Sequence, residues 1–336
     1  MAKVKSEEIE FQEIPYTILS GDFYSSSDTL KRIEILLKNG KLNQTLLISG
    51  PPSVGKTTLA YIITAALQCE SPTPFACGEC LSCRKIKKGI FPDLRYITFK
   101  EGENGKLRTQ ILIEQVREDI LKVADLPPYE GKKLVFIIEP AEGLNISSQN
   151  ALLKILEEPP SYVQFILIAK EVSRLLPTVK SRCQEISLKE LNFKESLEIA
   201  QKLGLKDNAL KAAEASRGRV GLIVSGGWEE YLELKEILEK LIVLGGDIKH
   251  YKEVSVKIEE LSKYPINLVL DETLYIIKEI IKSKDGFQSL YTKKENFANV
   301  SKEQLFHKVQ KTLEAMQMIN RNVNTKLIFN YIFLGE

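Results

Sequence analysis

Little in this chain points to a membrane or to bulk attraction for a polyanion. Its 47 lysines and arginines are balanced by 45 aspartates and glutamates, a formal net charge of +2, so no global field draws it to nucleic acid. Any contact with DNA is therefore expected to be local. No run approaches the roughly 18 apolar residues of a membrane span, and Met1-Ala2-Lys3-Val4-Lys5-Ser6-Glu7-Glu8 has no apolar stretch of the kind a secretory leader needs. The expected location is the cytosol, without membrane association. No fixed-period repeat is present. What remains is ordinary for a globular protein: 336 residues, 43% hydrophobic and 27% charged, enough for two or three domains with their own cores.

The most informative stretch is residues 45–66. Thr45-Leu46-Leu47-Ile48-Ser49 reads as a buried strand, and Gly50-Pro51-Pro52-Ser53-Val54-Gly55-Lys56-Thr57-Thr58 fits the phosphate-loop pattern G-x-x-x-x-G-K-[ST] at every fixed position. A helix-forming run, 59–67, follows at once. A glycine-bearing turn at a helix N-terminus aims several backbone N–H groups and the positive dipole end at one small volume, which suits a polyphosphate. Lys56 is placed to reach the β/γ-phosphates and Thr57 to coordinate Mg²⁺.

Four of the five cysteines, Cys69, Cys77, Cys80 and Cys83, fall within fifteen residues. In a reducing compartment such a cluster reads as a closed tetrahedral thiolate site for structural Zn²⁺; the alternative is a loop of reduced thiols. Arg84-Lys85-Ile86-Lys87-Lys88 reads as a solvated helix face.

Along the chain, a helix over 30–37 ends at Asn39-Gly40 and packs on the nucleotide domain. A second strand is expected at 94–99, a polar loop at 101–106, and a helix capped by Thr109 with Leu112, Val116 and Ile120 on one stripe. Leu134-Val135-Phe136-Ile137-Ile138 is a continuous apolar run and hence a strand covered on both faces. A helix over 148–158, a strand over 165–169, a helical or turn segment over 172–179 broken at Pro177, and a strand over 183–188 complete the pattern. Strands separated by helices predict an α/β domain with a parallel sheet and helices on both faces. From about 191 the pattern is helical, interrupted at Gly218/Gly221, Gly226-Gly227 and Gly245-Gly246. Trp228 and its many Leu and Ile neighbours read as core.

The phosphate loop, the cysteine module followed by Phe91-Pro92-Asp93, Ile113-Glu114-Gln115-Val116-Arg117, Asn150-Ala151-Leu152-Leu153-Lys154-Ile155-Leu156-Glu157-Glu158-Pro159-Pro160 and Ser181-Arg182-Cys183 together resemble the bacterial clamp-loader AAA+ subunits. These are the delta-prime and gamma/tau subunits of DNA polymerase III. The similarity runs from Tyr16 to about Ser225; beyond Trp228 only length and helical character agree. The resemblance implies an AAA+ RecA-like domain over 1–189 carrying a zinc module at 69–83, a small helical lid over 190–227 and an all-helical collar over 228–336. It also implies ATP with Mg²⁺, and a hetero-pentamer with gamma/tau and delta subunits that loads a sliding clamp on primed DNA. Arg182 matches the family's arginine finger, which reaches the γ-phosphate held by a neighbouring subunit. Without that role it would be a surface ion pair at a strand's start.

Counting back from Asn150 puts Glu139 where motor subunits carry the Mg²⁺-liganding Asp. Pro140 falls where they carry the glutamate that polarises the attacking water, and proline has no acid–base group. Glu142 lies beyond a proline-fixed turn and is not expected to replace it. The polar sensor after the fourth strand falls on Ala169-Lys170 and the second sensor arginine on Gly218, while Ser216-Arg217-Gly218-Arg219 is more like the delta-prime pattern. The expectation is thus a delta-prime-like stator with little hydrolysis of its own. The rival is a gamma-like motor, and a nucleotide kinase with a zinc-bearing lid is a distant third.

Overall fold

A computed structural model describes residues 17, 19, 23–25, 27–72, 75–102, 105, 107–245, 248–287, 297, 299–319 and 323–334. Met1 to Glu8, Tyr16, Glu103, Asn104, Lys106 and Gly246, which carried sequence expectations, lie outside them. Contacts divide the chain into two compact units. The first runs to Asn192 and includes Gly218–Gly221; the second holds Phe193–Arg217 and continues from Leu222.

The first unit begins with α1 (Ser27–Lys38), β1 (Thr45–Ser49), α2 (Lys56–Gln68), α3 (Leu81–Lys87) and β2 (Leu94–Ile97). A helical stretch follows: α4 (Ile113–Val116), a π-helical turn (Arg117–Leu121) and α5 (Lys122–Ala124). Then come β3 (Leu134–Ile138), a 3₁₀ turn (Ala141–Gly143), α6 (Ile146–Glu157), β4 (Val163–Ala169), a 3₁₀ turn (Val172–Arg174), α7 (Pro177–Lys180) and β5 (Gln184–Ser187). The strands form one parallel sheet in the order β2-β3-β4-β1-β5.

Strand periodicity explains why the apolar runs are unbroken. Leu46 and Ile48 of β1, Val135 and Ile137 of β3, and Ile166 and Ile168 of β4 enter one core with Ile33 of α1 and Leu59, Ile62 and Ile63 of α2. The alternate residues Leu47, Phe136, Ile138, Phe165 and Leu167 enter a second core with Val116, Ile120, Leu152 and Leu156. Each face of the sheet is therefore covered, and Phe136 and Phe165 stack with ring centroids 5.2 Å apart.

Two local expectations are corrected. Pro177 begins α7 instead of breaking a helix, because at the first helical position its missing N–H has no intrahelical partner to lose. The helix after residue 110 is capped by Leu112, with no side-chain capping bond, so Thr109 is not its cap. An isolated antiparallel bridge joins Glu101 to Leu107 at the ends of the stretch expected as a polar loop.

Asp93 pins the crossover into β3. Its buried carboxylate accepts the N–H of Tyr129 at 2.6 Å, Glu130 at 2.8 Å and Gly131 at 2.7 Å. Asp93→Ala leaves three donors without that acceptor and is expected to cost about 3 kcal/mol, read as a drop in the urea midpoint. A loss under about 1 kcal/mol would show that water takes its place.

The second unit contains α8 (Phe193–Lys202), α9 (Ala209–Ser216), most of α10 (Val220–Ser225), α11 (Trp228–Leu244), α12 (Tyr251–Leu261), α13 (Ile266–Lys284), α14 (Lys302–Met318) and α15 (Thr325–Phe333). Leu234, Leu238 and Leu241 recur at helical spacing on α11 and meet Val254, Ile258 and Leu261 of α12, Ile276, Ile277 and Ile280 of α13, and Phe329 and Phe333 of α15. Trp228 is buried. α14 starts in a reciprocal capping box between Ser301 and Gln304. Arg217, in left-handed conformation at the end of α9, ion-pairs with the buried carboxylate of Glu272 on α13, with its guanidinium carbon 3.2 Å from the centre of the Tyr275 ring. That engagement leaves Arg217 a structural role here.

Candidate functional site

The carboxyl ends of parallel strands are where an open α/β sheet builds its ligand crevice. The phosphate loop leaves β1 there, Glu139 and Pro140 follow β3, and Lys170 follows β4. Two glycines let the loop turn so tightly. Gly50 has φ of +144°, and a Cβ on it would fall 2.3 Å from the Leu188 carbonyl oxygen; Gly55, at φ +91°, caps α2 and would strike the Phe23 ring at 2.9 Å. The loop is held from outside as well, since the Gly221 N–H donates to the Ser53 carbonyl at 2.7 Å.

These pieces enclose a cleft of about 520 Å³ lined by Pro52, Ser53, Gly55, Lys56, Thr57, Thr58, Glu139, Pro140, Glu142, Ile168, Lys170 and Gly221. Lys56 is almost fully buried and donates to the carbonyls of Gly50 at 2.9 Å and Pro51 at 2.6 Å. Burial holds its pKa below the usual lysine value; Glu139 and then Glu142 pull it back up, and Lys170 pushes it down. An ammonium so desolvated gains most when an anion enters. Thr57 donates its hydroxyl to the Glu139 carboxylate, 2.9 Å from each oxygen, and Tyr96 of β2 donates to the same carboxylate at 2.6 Å.

Of the residues expected to hold nucleotide, Pro52, Ser53, Gly55, Lys56, Thr57, Thr58 and Glu139 line the cleft, while Gly50, Pro51 and Val54 shape the loop behind it; Val54 is in the core. Pro140 is in the cleft wall, joined to Glu139 by a cis peptide bond. Two further residues at the cleft stand outside those expected to hold nucleotide. Tyr96 left no signal, lying beside Arg95 in the short strand β2. Glu142, which in sequence lies beyond a proline-fixed turn, sits in the 3₁₀ turn that Pro140 caps and lines the same cleft as Glu139. Its Oε1 accepts the Lys170 N–H at 3.0 Å, and its Oε2 is buried without a hydrogen-bond partner.

The cysteine cluster is a second site of the same unit. The Sγ atoms of Cys69, Cys77, Cys80 and Cys83 all lie within 4.8 Å of one another, close to the roughly 3.8 Å between sulfurs around a tetrahedral Zn²⁺ with 2.3 Å bonds. Cys69 caps α2 and Cys83 lies in α3, both buried, so the ends of two helices carry the ligands. The Cys77 thiol is drawn down to about 6 by the backbone N–H groups of Cys80 and Glu79, whereas burial pushes Cys69 and Cys83 up. A soft thiolate set with two buried members fits a divalent ion that removes all four protons. Cys183 is not part of the group. Arg182 sits just before β5, its Nε 3.0 Å and Nη2 2.5 Å from Glu157 Oε2 and its Nη1 2.9 Å from the Thr178 carbonyl.

A five-stranded parallel sheet with a phosphate loop after β1 and an acidic residue after β3 defines an AAA+ module. The family model described as "DNA polymerase III, delta subunit" matches residues 25–192, half of the chain, and the chain belongs to that family. Among curated proteins it is 41% identical over 138 residues to the DNA polymerase III subunit delta-prime of Pseudomonas aeruginosa, covering 41% of this chain and 40% of that one. It is 28% identical over 255 residues to the subunit gamma of Buchnera aphidicola, covering 76% of this chain and 65% of that one. The chain thus spans less than two thirds of the length of these relatives. The crystal structure of a DNA polymerase III gamma subunit-related protein from Thermotoga maritima aligns over 91% of this chain and 97% of its own, with 20% identity and a TM-score of 0.46. Among the described residues, no helix is long and apolar enough to cross a membrane.

Proposed function

We propose that the chain is a delta-prime-like stator of a clamp loader: it holds nucleotide, turns it over slowly at most, and supplies Arg182 in trans to a neighbouring motor subunit. The observation that carries this is Pro140 in the wall of an otherwise intact phosphate-binding cleft. A proline there can neither accept a proton nor orient a water. Family membership and the named relatives support the wider setting, a hetero-pentamer with gamma/tau and delta subunits that places a sliding clamp on primed DNA in the cytoplasm. The lid at 190–227 and the collar at 228–336 belong to the same proposal.

Within the cleft, Lys56 and the N-terminal amides of α2 bind the β/γ-phosphates. Thr57 and Glu139 fit Mg²⁺, being a hydroxyl and a carboxylate already in contact, an all-oxygen donor pair suited to a hard cation. Bound there, the ion would neutralise charge on the phosphates. Cys69, Cys77, Cys80 and Cys83 hold Zn²⁺ as a structural brace.

Steady-state hydrolysis by the purified chain, with clamp and primed DNA present, tests the reading beside Lys56→Ala. The expected turnover is at or below about 10⁻² s⁻¹, the range of sites lacking part of their transition-state machinery. Binding of a fluorescent ATP analogue is expected to weaken about 100-fold in Lys56→Ala. Turnover near 1 s⁻¹ that is lost in that variant would make the chain a gamma-like motor.

A further inference from the structure

We propose that Tyr96 is a positioning residue for the divalent cation that accompanies nucleotide in this cleft: its phenol holds one oxygen of Glu139, so that the carboxylate stays in place beside Thr57. The inference rests on the reading of the cleft as a nucleotide site. Its basis is the convergence of three elements. β2 is the edge strand of the sheet and pairs with β3 through Tyr96 opposite Ile137 and Ile97 opposite Ile138. The Glu139 N–H donates to the Ile97 carbonyl at 2.9 Å, so the backbone just beyond β3 is fixed against β2. Side chains alternate along a strand, and Leu94 packs on the core that contains α2, which puts Tyr96 on that same face of the sheet. α2 carries Thr57 in its first turn.

The carboxylate of Glu139 is where these elements meet. Tyr96 donates to Oε2 at 2.6 Å, the length of a charge-assisted O–H···O⁻ bond, and the Thr57 hydroxyl lies 2.9 Å from both oxygens. Glu139 and Thr57 line the cleft, whereas Tyr96 is not among the residues lining it. The phenol therefore acts through the carboxylate and not on the ligand. A glutamate swings on a longer stem than an aspartate and has more rotamer freedom to lose when it takes a cation. The short bond to Oε2 removes part of that freedom in advance, and it leaves Oε1 the less engaged oxygen for a hard ion. Partners that orient a metal-binding side chain in this way are worth about 10- to 100-fold in metal affinity.

Tyr96 is 41% exposed, so taking away its hydroxyl in Tyr96→Phe leaves the core intact. Binding of a fluorescent ATP analogue to the full chain is measured in excess Mg²⁺ and in EDTA for wild type, Tyr96→Phe, Glu139→Gln and the double variant. The ratio of the two affinities reads the cation's share, separate from any general loosening of the site. In Tyr96→Phe the ratio is expected to fall about tenfold, with binding in EDTA and melting temperature close to wild type. It should fall further in Glu139→Gln, and the double variant should match Glu139→Gln, because the phenol acts only through that carboxylate. An unchanged ratio in Tyr96→Phe overturns the proposal, whether or not binding weakens under both conditions. A fall of the same size when Tyr96→Phe is added to Glu139→Gln overturns it too. A wild type that binds no more tightly in Mg²⁺ than in EDTA removes the cation from Thr57 and Glu139, and the proposal with it. A wild type that binds the analogue under neither condition overturns the nucleotide-site reading itself.

Discussion

Arg182→Ala in a chain assembled with its partner subunits is expected to lower ATP hydrolysis at the one site it serves, and clamp loading with it, by about 10³-fold. The side chain is held by its own subunit in a way that is easy to leave. Glu157, its carboxylate partner, has a side chain 58% exposed, and such a pair is worth roughly 1 kcal/mol or less. A γ-phosphate in a closed site offers the guanidinium fork several charged acceptors at once, so exchange of partners is favourable. Arg182→Lys should rescue little, because a point charge cannot span two phosphate oxygens. Nucleotide affinity of the isolated chain should stay within twofold, since Arg182 is not among the residues lining the cleft. A complex carrying Arg182→Ala that loads clamps at the normal rate would refute the trans role and leave only the surface pair.

Removal of metal from the cysteine module is expected to lower the melting temperature by about 10 °C, with the nucleotide cleft unaffected. The size of the effect follows from what the module touches. Phe75, Cys69, Cys83, Ile86 and Phe91 all enter the core that covers one face of the sheet, so a loosened module exposes apolar surface there. Four thiols crowded within 4.8 Å with no ion between them must also share protons in a partly desolvated space. Cys80→Ser should reproduce the chelator's effect. Elemental analysis of protein purified without chelator should give one zinc per chain; no stoichiometric metal would remove the brace from the account.

Much of this unit was legible because each feature had a local cause. The buried strands β1, β3 and β4 were visible as unbroken apolar runs, since both faces are covered, and the phosphate loop as glycines at fixed spacing before a helix. The cysteines were visible by spacing alone. Less legible was whatever depended on a residue's three-dimensional neighbour. Pro177 reads equally as a breaker or as a first helical residue until the chain on its N-terminal side is known. Thr109 had the chemistry of a cap, but the helix begins three residues later than that role requires. Glu142 follows Pro140, which in sequence implies a change of direction, and only the structure shows that it lines the same cleft as Glu139. Asp93 was noted as part of a motif, yet its three backbone partners lie 36 to 38 residues away.

The strands carry both cores on alternate residues, and this limits how the chain can change in length. A single inserted or deleted residue within β1, β3 or β4 would hand each side chain beyond that point to the opposite face, exchanging the contents of two differently shaped interiors. Substitution can be absorbed side chain by side chain, but a frame change of one residue cannot. Growth and shrinkage are thereby confined to the connections, and the long detour between α2 and β2, with four cysteines to tie it off, is where this architecture has room for it.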